Sequence, residues 1–123
     1  MLGTRAMRQR KNRIKAKSVT VEPTSLRFES GGRTGNYLLA GEMTFKTSLS
    51  AIREAASIID AAYTPLHFDL SGVTRADSAG VGLLIEWQRI AARARCDLRY
   101  TQMPKSLESI MRVTGVLGML PVD

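Results

Sequence analysis

The chain has 123 residues, enough for one domain with a hydrophobic core and too few for two. Its single cysteine excludes a disulfide within the chain, and one cysteine with one histidine is too few for a zinc site built from protein ligands. No apolar run approaches the roughly 18 residues of a spanning helix. The formal net charge of +7 comes from residues 1–17, which hold seven basic side chains and no acid, whereas the remaining eleven basic residues balance eleven acids.

The basic segment at the start, residues 1–21, has few apolar side chains and is predicted to be a disordered tail before a folded domain at 22–123. It could be a solvated extension, the product of a start site assigned too early, with Met7 as another candidate, or a contact for anionic lipid headgroups. Nucleic acid is not favoured as its partner, because the segment has no aromatic side chain to stack on bases. We expect a cytoplasmic protein, and lipid contact by the tail would place it at the inner membrane surface.

The predicted elements begin with strands at 26–28 and 37–45, separated by a glycine-rich turn segment that indicates a hairpin. Apolar residues three and four positions apart predict a helix over 48–59, with Ser48 available as its cap. The elements that follow are a strand at 66–70, a helix at 78–95, a strand at 97–101, a helix at 104–113 and, at 116–122, a last short strand or a docked tail. This alternation predicts an α/β fold with a mixed sheet covered by helices.

The most informative segment, residues 68–85, joins the third predicted strand to the second predicted helix. Gly72 indicates a turn after the strand, and Ser78 comes directly before a periodic apolar run, as a helix cap does. The segment is therefore predicted to be a loop that exposes polar side chains at a helix N-terminus, a common position for functional groups. These side chains are Thr74, Arg75, Asp77 and Ser78.

Each polar residue of this loop has a structural and a functional interpretation. Ser78 could cap the helix, contact a partner or accept a phosphate. Asp77 could brace the loop by accepting backbone N–H groups or contact a partner directly, and Arg75 could stay solvated or pair with a partner's carboxylate. Because no positioned nucleophile, metal-ligand set or second histidine accompanies the acids, we predict no catalytic residue, no metal and no cofactor.

The helix after this loop carries two glycines and a second apolar face. Glycine in a helix costs up to about 1 kcal/mol relative to alanine, so Gly80 and Gly82 suggest that another backbone or a partner approaches closely. Leu83 and Trp87 lie outside the main apolar face. They belong either to a wide buried face or to an exposed patch that binds a protein, since tryptophan is frequent among interface anchors.

The order Asp-Leu-Ser-x-Val, three residues, Asp-Ser-x-Gly-x-Gly-Leu resembles the signature of STAS domains, the modules of sulfate transporters and anti-sigma-factor antagonists. The resemblance spans about residues 26–122 and implies a STAS-like mixed sheet of four to five strands covered by three to four helices. It also implies a non-enzymatic module that binds a protein partner. The partner face would include Thr74, Arg75, Asp77, Ser78, Gly80, Leu83 and Trp87.

Two branches of the family are relevant. The chain is most similar to the cytoplasmic STAS subunit of the bacterial lipid-asymmetry (Mla) phospholipid ABC transporter, which implies docking on the transporter's ATPase subunit. The alternative is an anti-sigma-factor antagonist that binds a serine kinase in partner-switching signalling. In that branch the phosphate acceptor directly precedes the glycine, where this chain has Ala79, and this departure favours the transporter branch.

Overall fold

A computed structural model describes residues 24–123, so the predicted basic tail lies outside the described residues. The sheet has the order β1-β2-β3-β4, with strands at Leu26–Ser30, Asn36–Met43, Leu66–Ala76 and Leu98–Thr101. The helices are α1 at Ser48–Ala61, α2 at Ser78–Arg93 and α3 at Lys105–Thr114, followed by a 3-10 turn at Leu117–Met119. None of these helices is long and apolar enough to cross a membrane.

The predicted α/β fold with a mixed sheet is confirmed. β1 and β2 form the predicted antiparallel hairpin, while β2, β3 and β4 are parallel to one another. Each parallel strand is followed by a helix that runs back along the sheet. All three helices therefore begin at one edge of the sheet, where the parallel strands end, and this is the edge at which α/β folds usually bind their ligands.

One face of the sheet carries the core. The alternation of β3 places Leu66, Phe68 and Leu70 on this face, each with 2% or less of its surface exposed. Leu98 and Tyr100 of β4 pair with Leu66 and Phe68 in the register, so they lie on the same face and are buried as well. The helices cover these side chains with their own apolar residues.

α2 is the central helix, and it is buried on two sides because it contacts both α1 and α3. Trp87 is fully buried, with its ring centroid 5.7 Å from that of Phe28 and 5.5 Å from that of Phe68. Leu83, one turn earlier, is 2% exposed. The interpretation as a wide buried face is therefore correct, and the alternative of an exposed binding patch formed by Leu83 and Trp87 is wrong.

β3 is longer than the sequence predicts, and the predicted loop is part of it. Gly72 does not turn the chain but pairs with Ala40 of β2, and a Cβ atom at this position would lie 2.6 Å from the carbonyl oxygen of Leu39. The glycine thus allows two backbones to approach closely. As a result the strand continues to Ala76, and Thr74 lies in it.

The chain end docks beside β4, in agreement with the predicted docked tail. Val122 forms a single parallel bridge with Tyr100, and the Tyr100 hydroxyl donates a hydrogen bond to the carbonyl oxygen of Leu84 at 2.6 Å. A salt bridge of 2.9 Å joins Arg99 to Asp123. The hydrogen bond from Arg99 lowers the pKa of the Asp123 carboxyl.

Substitution of Trp87 tests the aromatic core. Trp87→Ala should lower the free energy of unfolding by about 3–5 kcal/mol, as expected for a large buried ring. Trp87→Phe should cost clearly less, because the phenyl ring keeps much of the volume and Trp87 Nε1 has no hydrogen-bond partner among residues 24–123. Urea unfolding followed by far-UV circular dichroism measures both. Equal losses for the two variants would contradict this account of the core.

Candidate functional site

Asp77 connects the two elements that form the candidate site. Its Oδ1 accepts a hydrogen bond from the backbone N–H of Ala79 at 2.9 Å, and its Oδ2 accepts one from the backbone N–H of Phe45 at 3.2 Å. Its own N–H donates to the carbonyl oxygen of Met43 at 3.3 Å. One residue therefore fixes the start of α2 relative to the turn after β2. We call this region, residues 43–49 and 75–82, the carboxyl edge.

The structure corrects the assignment of the helix cap. Asp77 is the N-cap of α2 and Ser78 is its first helical residue. Aspartate and serine are both good helix caps. Because β3 continues to Ala76, Asp77 is the residue between the strand and α2. Ser78 is exposed, and its side chain makes no hydrogen bond to another residue in the described range. Its hydroxyl is therefore available to a partner or to a modifying enzyme.

Thr74 and Arg75 are exposed, as predicted, but they lie at the end of β3 and not in a loop. The Thr74 hydroxyl donates to the carbonyl oxygen of Gly41 at 3.2 Å, so it supports the sheet. Arg75 lies opposite Glu42 in the register and lines a cleft of about 260 Å³ together with Lys46 and Asp77. Of the predicted site residues, the structure brings together Arg75, Asp77 and Ser78 at one exposed edge.

Gly80 is buried and lies against a neighbouring backbone. A Cβ atom there would be 2.7 Å from the carbonyl oxygen of Met43 and 3.0 Å from a methyl carbon of Leu107. The close approach of another backbone predicted for this glycine is confirmed, and its burial removes it from the predicted partner face. Gly82 is exposed, and no described residue lies within 4 Å of a Cβ atom built there, so the approach of another backbone is wrong for Gly82 and the approach of a partner stays a prediction.

Two large apolar side chains at the carboxyl edge were missed by the sequence analysis. Phe45 is 81% exposed and Leu49 is 63% exposed. The sequence placed Phe45 at the end of a strand and Leu49 on the buried face of a helix. β2 instead ends at Met43, and the hydrogen bond to Asp77 holds the Phe45 backbone in the turn that follows. The apolar spacing at 49, 52, 55, 56 and 59 suggested that Leu49 is buried, but the buried residues of α1 are Ala51, Ala55 and Ile59, and Leu49 lies on another side of the helix.

The chemistry available at the carboxyl edge is that of binding. It offers an exposed hydroxyl, two cations and two apolar side chains on the ends of packed elements. Within residues 24–123, no group of three histidine, cysteine, aspartate or glutamate side chains is placed to hold a metal ion. Rigid presentation of such groups limits the conformational entropy lost when a partner binds.

Comparison with known proteins identifies the fold. The family model described as "Mlab, STAS domain" matches residues 27–121. The chain belongs to the STAS family. The carboxyl edge is therefore the edge of a STAS domain that holds the Asp-Ser-x-Gly signature. No curated protein sequence matched the chain.

Solved structures with this fold include an anti-sigma-factor antagonist from Mycobacterium paratuberculosis. It has a TM-score of 0.66 and 16% sequence identity, with 82% of this chain and 87% of that chain covered. The antagonist SpoIIAA in its unphosphorylated form has a TM-score of 0.53 and 16% identity, with 71% of this chain and 81% of that chain covered. At such identity the likeness establishes that this chain shares their fold.

A pair of glycine substitutions tests the contact between α2 and β2. Gly80→Ala should destabilise the protein, by about 1–3 kcal/mol, because the new methyl group meets a backbone oxygen that cannot move away alone. Gly82→Ala, two residues later, should stabilise it by up to about 1 kcal/mol, because its Cβ enters open space. Thermal and urea unfolding of both variants measure the difference. Similar stabilities for the two variants would contradict the packing described for Gly80.

Proposed function

We propose that the protein is an anti-sigma-factor antagonist, a non-enzymatic STAS module that binds a serine-kinase anti-sigma factor through its carboxyl edge. The observation that carries the proposal is the exposed hydroxyl of Ser78, which directly follows the helix cap Asp77 and forms no side-chain hydrogen bond within residues 24–123. Both solved structures described above are of antagonists, and this supports the antagonist branch over the transporter branch that the sequence alone favoured. The domain acts as a scaffold that presents the edge.

In this mechanism the partner binds the start of α2. The Ser78 hydroxyl can donate and accept hydrogen bonds, and the N-terminal end of a helix carries partial positive charge. Phosphorylation of Ser78 would add about −1.5 to −2 charge next to the Asp77 carboxylate, which already accepts two N–H groups. A kinase partner would then release the modified protein, because the charge and shape of the edge have changed.

A second candidate function is docking on the ATPase subunit of a phospholipid-transporting ABC system. Two observations favour it: the description of the matching family carries the name Mlab, and Ala79 has no oxygen to accept a phosphate. This function would use the same edge without a phosphate switch. The basic tail would then hold the protein near the inner membrane, where the resemblance places the transporter.

Affinity purification of the tagged full-length protein from its native cells separates the two functions. The proposal expects a serine kinase or sigma regulator to co-purify. Incubation with that kinase should then give a shift in phosphate-affinity electrophoresis that Ser78→Ala abolishes. Co-purification of an ABC ATPase with its permease, and no phosphorylation, would contradict the antagonist proposal and support the second candidate.

Ser78→Ala separates binding from stability. Because Asp77 is the cap and alanine is a good helix former, the free energy of unfolding should change by less than about 0.5 kcal/mol. Affinity for the co-purified partner should fall by about tenfold through loss of one hydroxyl hydrogen bond. Isothermal titration calorimetry measures the affinity, and Ser57→Ala, an exposed helix serine far along α1, is the matched control. Unchanged affinity for Ser78→Ala would remove this hydroxyl from the interface.

A further inference from the structure

The two edge strands of the sheet differ in what lies beside them. β4 is covered by the chain end, because Val122 forms a parallel bridge with Tyr100 and the Tyr100 N–H donates to the carbonyl oxygen of Pro121 at 3.0 Å. β1 lies at the other edge, and no strand within residues 24–123 pairs with its outer side. An uncovered edge strand is a template for pairing with another strand. β1 is therefore the strand through which this sheet can be extended.

The hydrogen bonds of the hairpin determine which backbone groups of β1 point outward. The Gly31 N–H donates to the carbonyl oxygen of Asn36 at 2.7 Å, and in the antiparallel register Arg27 and Glu29 share the phase of Gly31. Because residues in such a pair alternate between facing the neighbouring strand and facing away, the backbone groups between them point outward. They belong to Leu26, Phe28 and Ser30. Among residues 24–123, no hydrogen bond from outside the hairpin reaches these groups.

The charges of β1 are complementary to a second copy of the same strand. Arg27 and Glu29 are exposed on one face of the strand and form a salt bridge of 3.2 Å with each other. An antiparallel pairing of two β1 strands centred on Phe28 places Arg27 of each strand directly opposite Glu29 of the other. These residues would form non-hydrogen-bonded pairs, in which the side chains are closest and opposite charges attract most effectively. One cation and one acid thus suffice for two cross-strand ion pairs.

The same register suits the other face of β1. The Phe28 ring lies 5.7 Å from Trp87 and 5.6 Å from Phe68 between centroids, yet the Phe28 side chain is only half-buried. In the pairing centred on Phe28, the two Phe28 residues exchange backbone hydrogen bonds and each ring covers part of the other. Leu26 of each strand pairs in the same way with Ser30 of the second copy. Every outward N–H and C=O group of β1 thereby gains a partner.

We propose that the outer edge of β1 is an interface for a second copy of this chain, in which the two β1 strands pair antiparallel about a two-fold axis at Phe28. With five residues, the strand supports a weak and reversible dimer.

The dimer goes beyond the proposed function and does not depend on it. β1 begins opposite Gly41, near the carboxyl edge, so the antiparallel pairing places the two carboxyl edges at opposite ends of the joined sheet. Each copy would keep its Ser78 accessible, and a partner with two binding sites would gain avidity.

Sedimentation equilibrium of the full-length protein tests the association. The proposal expects the apparent mass to rise from that of one chain toward that of two as the concentration increases from micromolar to millimolar. The mass of one chain at all concentrations would overturn the proposal, whereas capture of a kinase through Ser78 would be unaffected.

Hydrogen exchange at low and high protein concentration locates the interface. The outward amides of Phe28 and Ser30 should exchange more slowly at high concentration, while those of Arg27 and Glu29, which face β2, should change little. A dimer that leaves the Phe28 and Ser30 amides unchanged would use another surface and would contradict the proposal. Slow exchange of these two amides at every concentration would identify a segment of the same chain on this edge and would also contradict it.

Charge reversal tests the register. Arg27→Glu places acids opposite acids in a pair of identical chains, and Glu29→Arg places cations opposite cations, so each variant alone should self-associate at least about tenfold more weakly. An equimolar mixture of the two variants should associate as the native chain does, because every cross-strand pair again has opposite charges. Arg89→Glu, the same charge change at an exposed position on α2, is the matched control and should have no effect. A mixture that associates no better than either variant alone would contradict the register.

Ser30→Pro tests the backbone pairing. Proline removes an N–H that points away from β2, so the hairpin should keep its own hydrogen bonds while the outer edge loses a donor. Self-association should be lost, with a far-UV circular dichroism spectrum like that of the native chain. Native association by the folded variant would contradict the pairing, and the charge-reversal mixture decides the matter if the variant fails to fold.

Discussion

The carboxyl edge depends on one carboxylate. Asp77 ends the extended run of β3, caps α2 and holds the turn after β2, and each role uses a separate polar group of the residue. Without its side chain, the α2 N-terminus would lose its side-chain hydrogen bond to the β2–α1 turn. The family signature has an acid at this position, and in this chain the acid is explained by the two backbone N–H groups that it satisfies. Its role is structural first, and the exposed groups around it are available for binding.

The order of the elements could be predicted from the sequence because apolar periodicity changes from two to about 3.6 at each junction. The length of β3 could not be predicted from the sequence. Glycine marks both turns and close backbone approaches, and only the position of Leu39 on the neighbouring strand shows that Gly72 is of the second kind. Once the strand continues, the polar residues that seemed to form a loop are placed at its end, and the cap moves by one residue.

The candidate site was only partly predicted, and the reason is related. Asp77 and Ser78 could be found because polar residues between a strand and a helix are easily recognised. The exposure of Phe45 and Leu49 was not predicted, because β2 ends at Met43 and the buried stripe of α1 is formed by Ala51, Ala55 and Ile59. α2 has a helix on each side, so Trp87 is buried, whereas Leu49 lies in the first turn of α1, outside the buried stripe of that helix, and is 63% exposed. Which large apolar side chains stay exposed is thus set by tertiary structure.

Hydrogen–deuterium exchange of the full-length protein, with and without its co-purified partner, tests the central claim that the carboxyl edge is the binding face. The account predicts that the partner protects backbone amides within residues 44–50 and 77–82 and leaves the opposite edge, residues 62–66, unchanged. Protection confined to β1, or to the end of α3 around the exposed Val113, would contradict it.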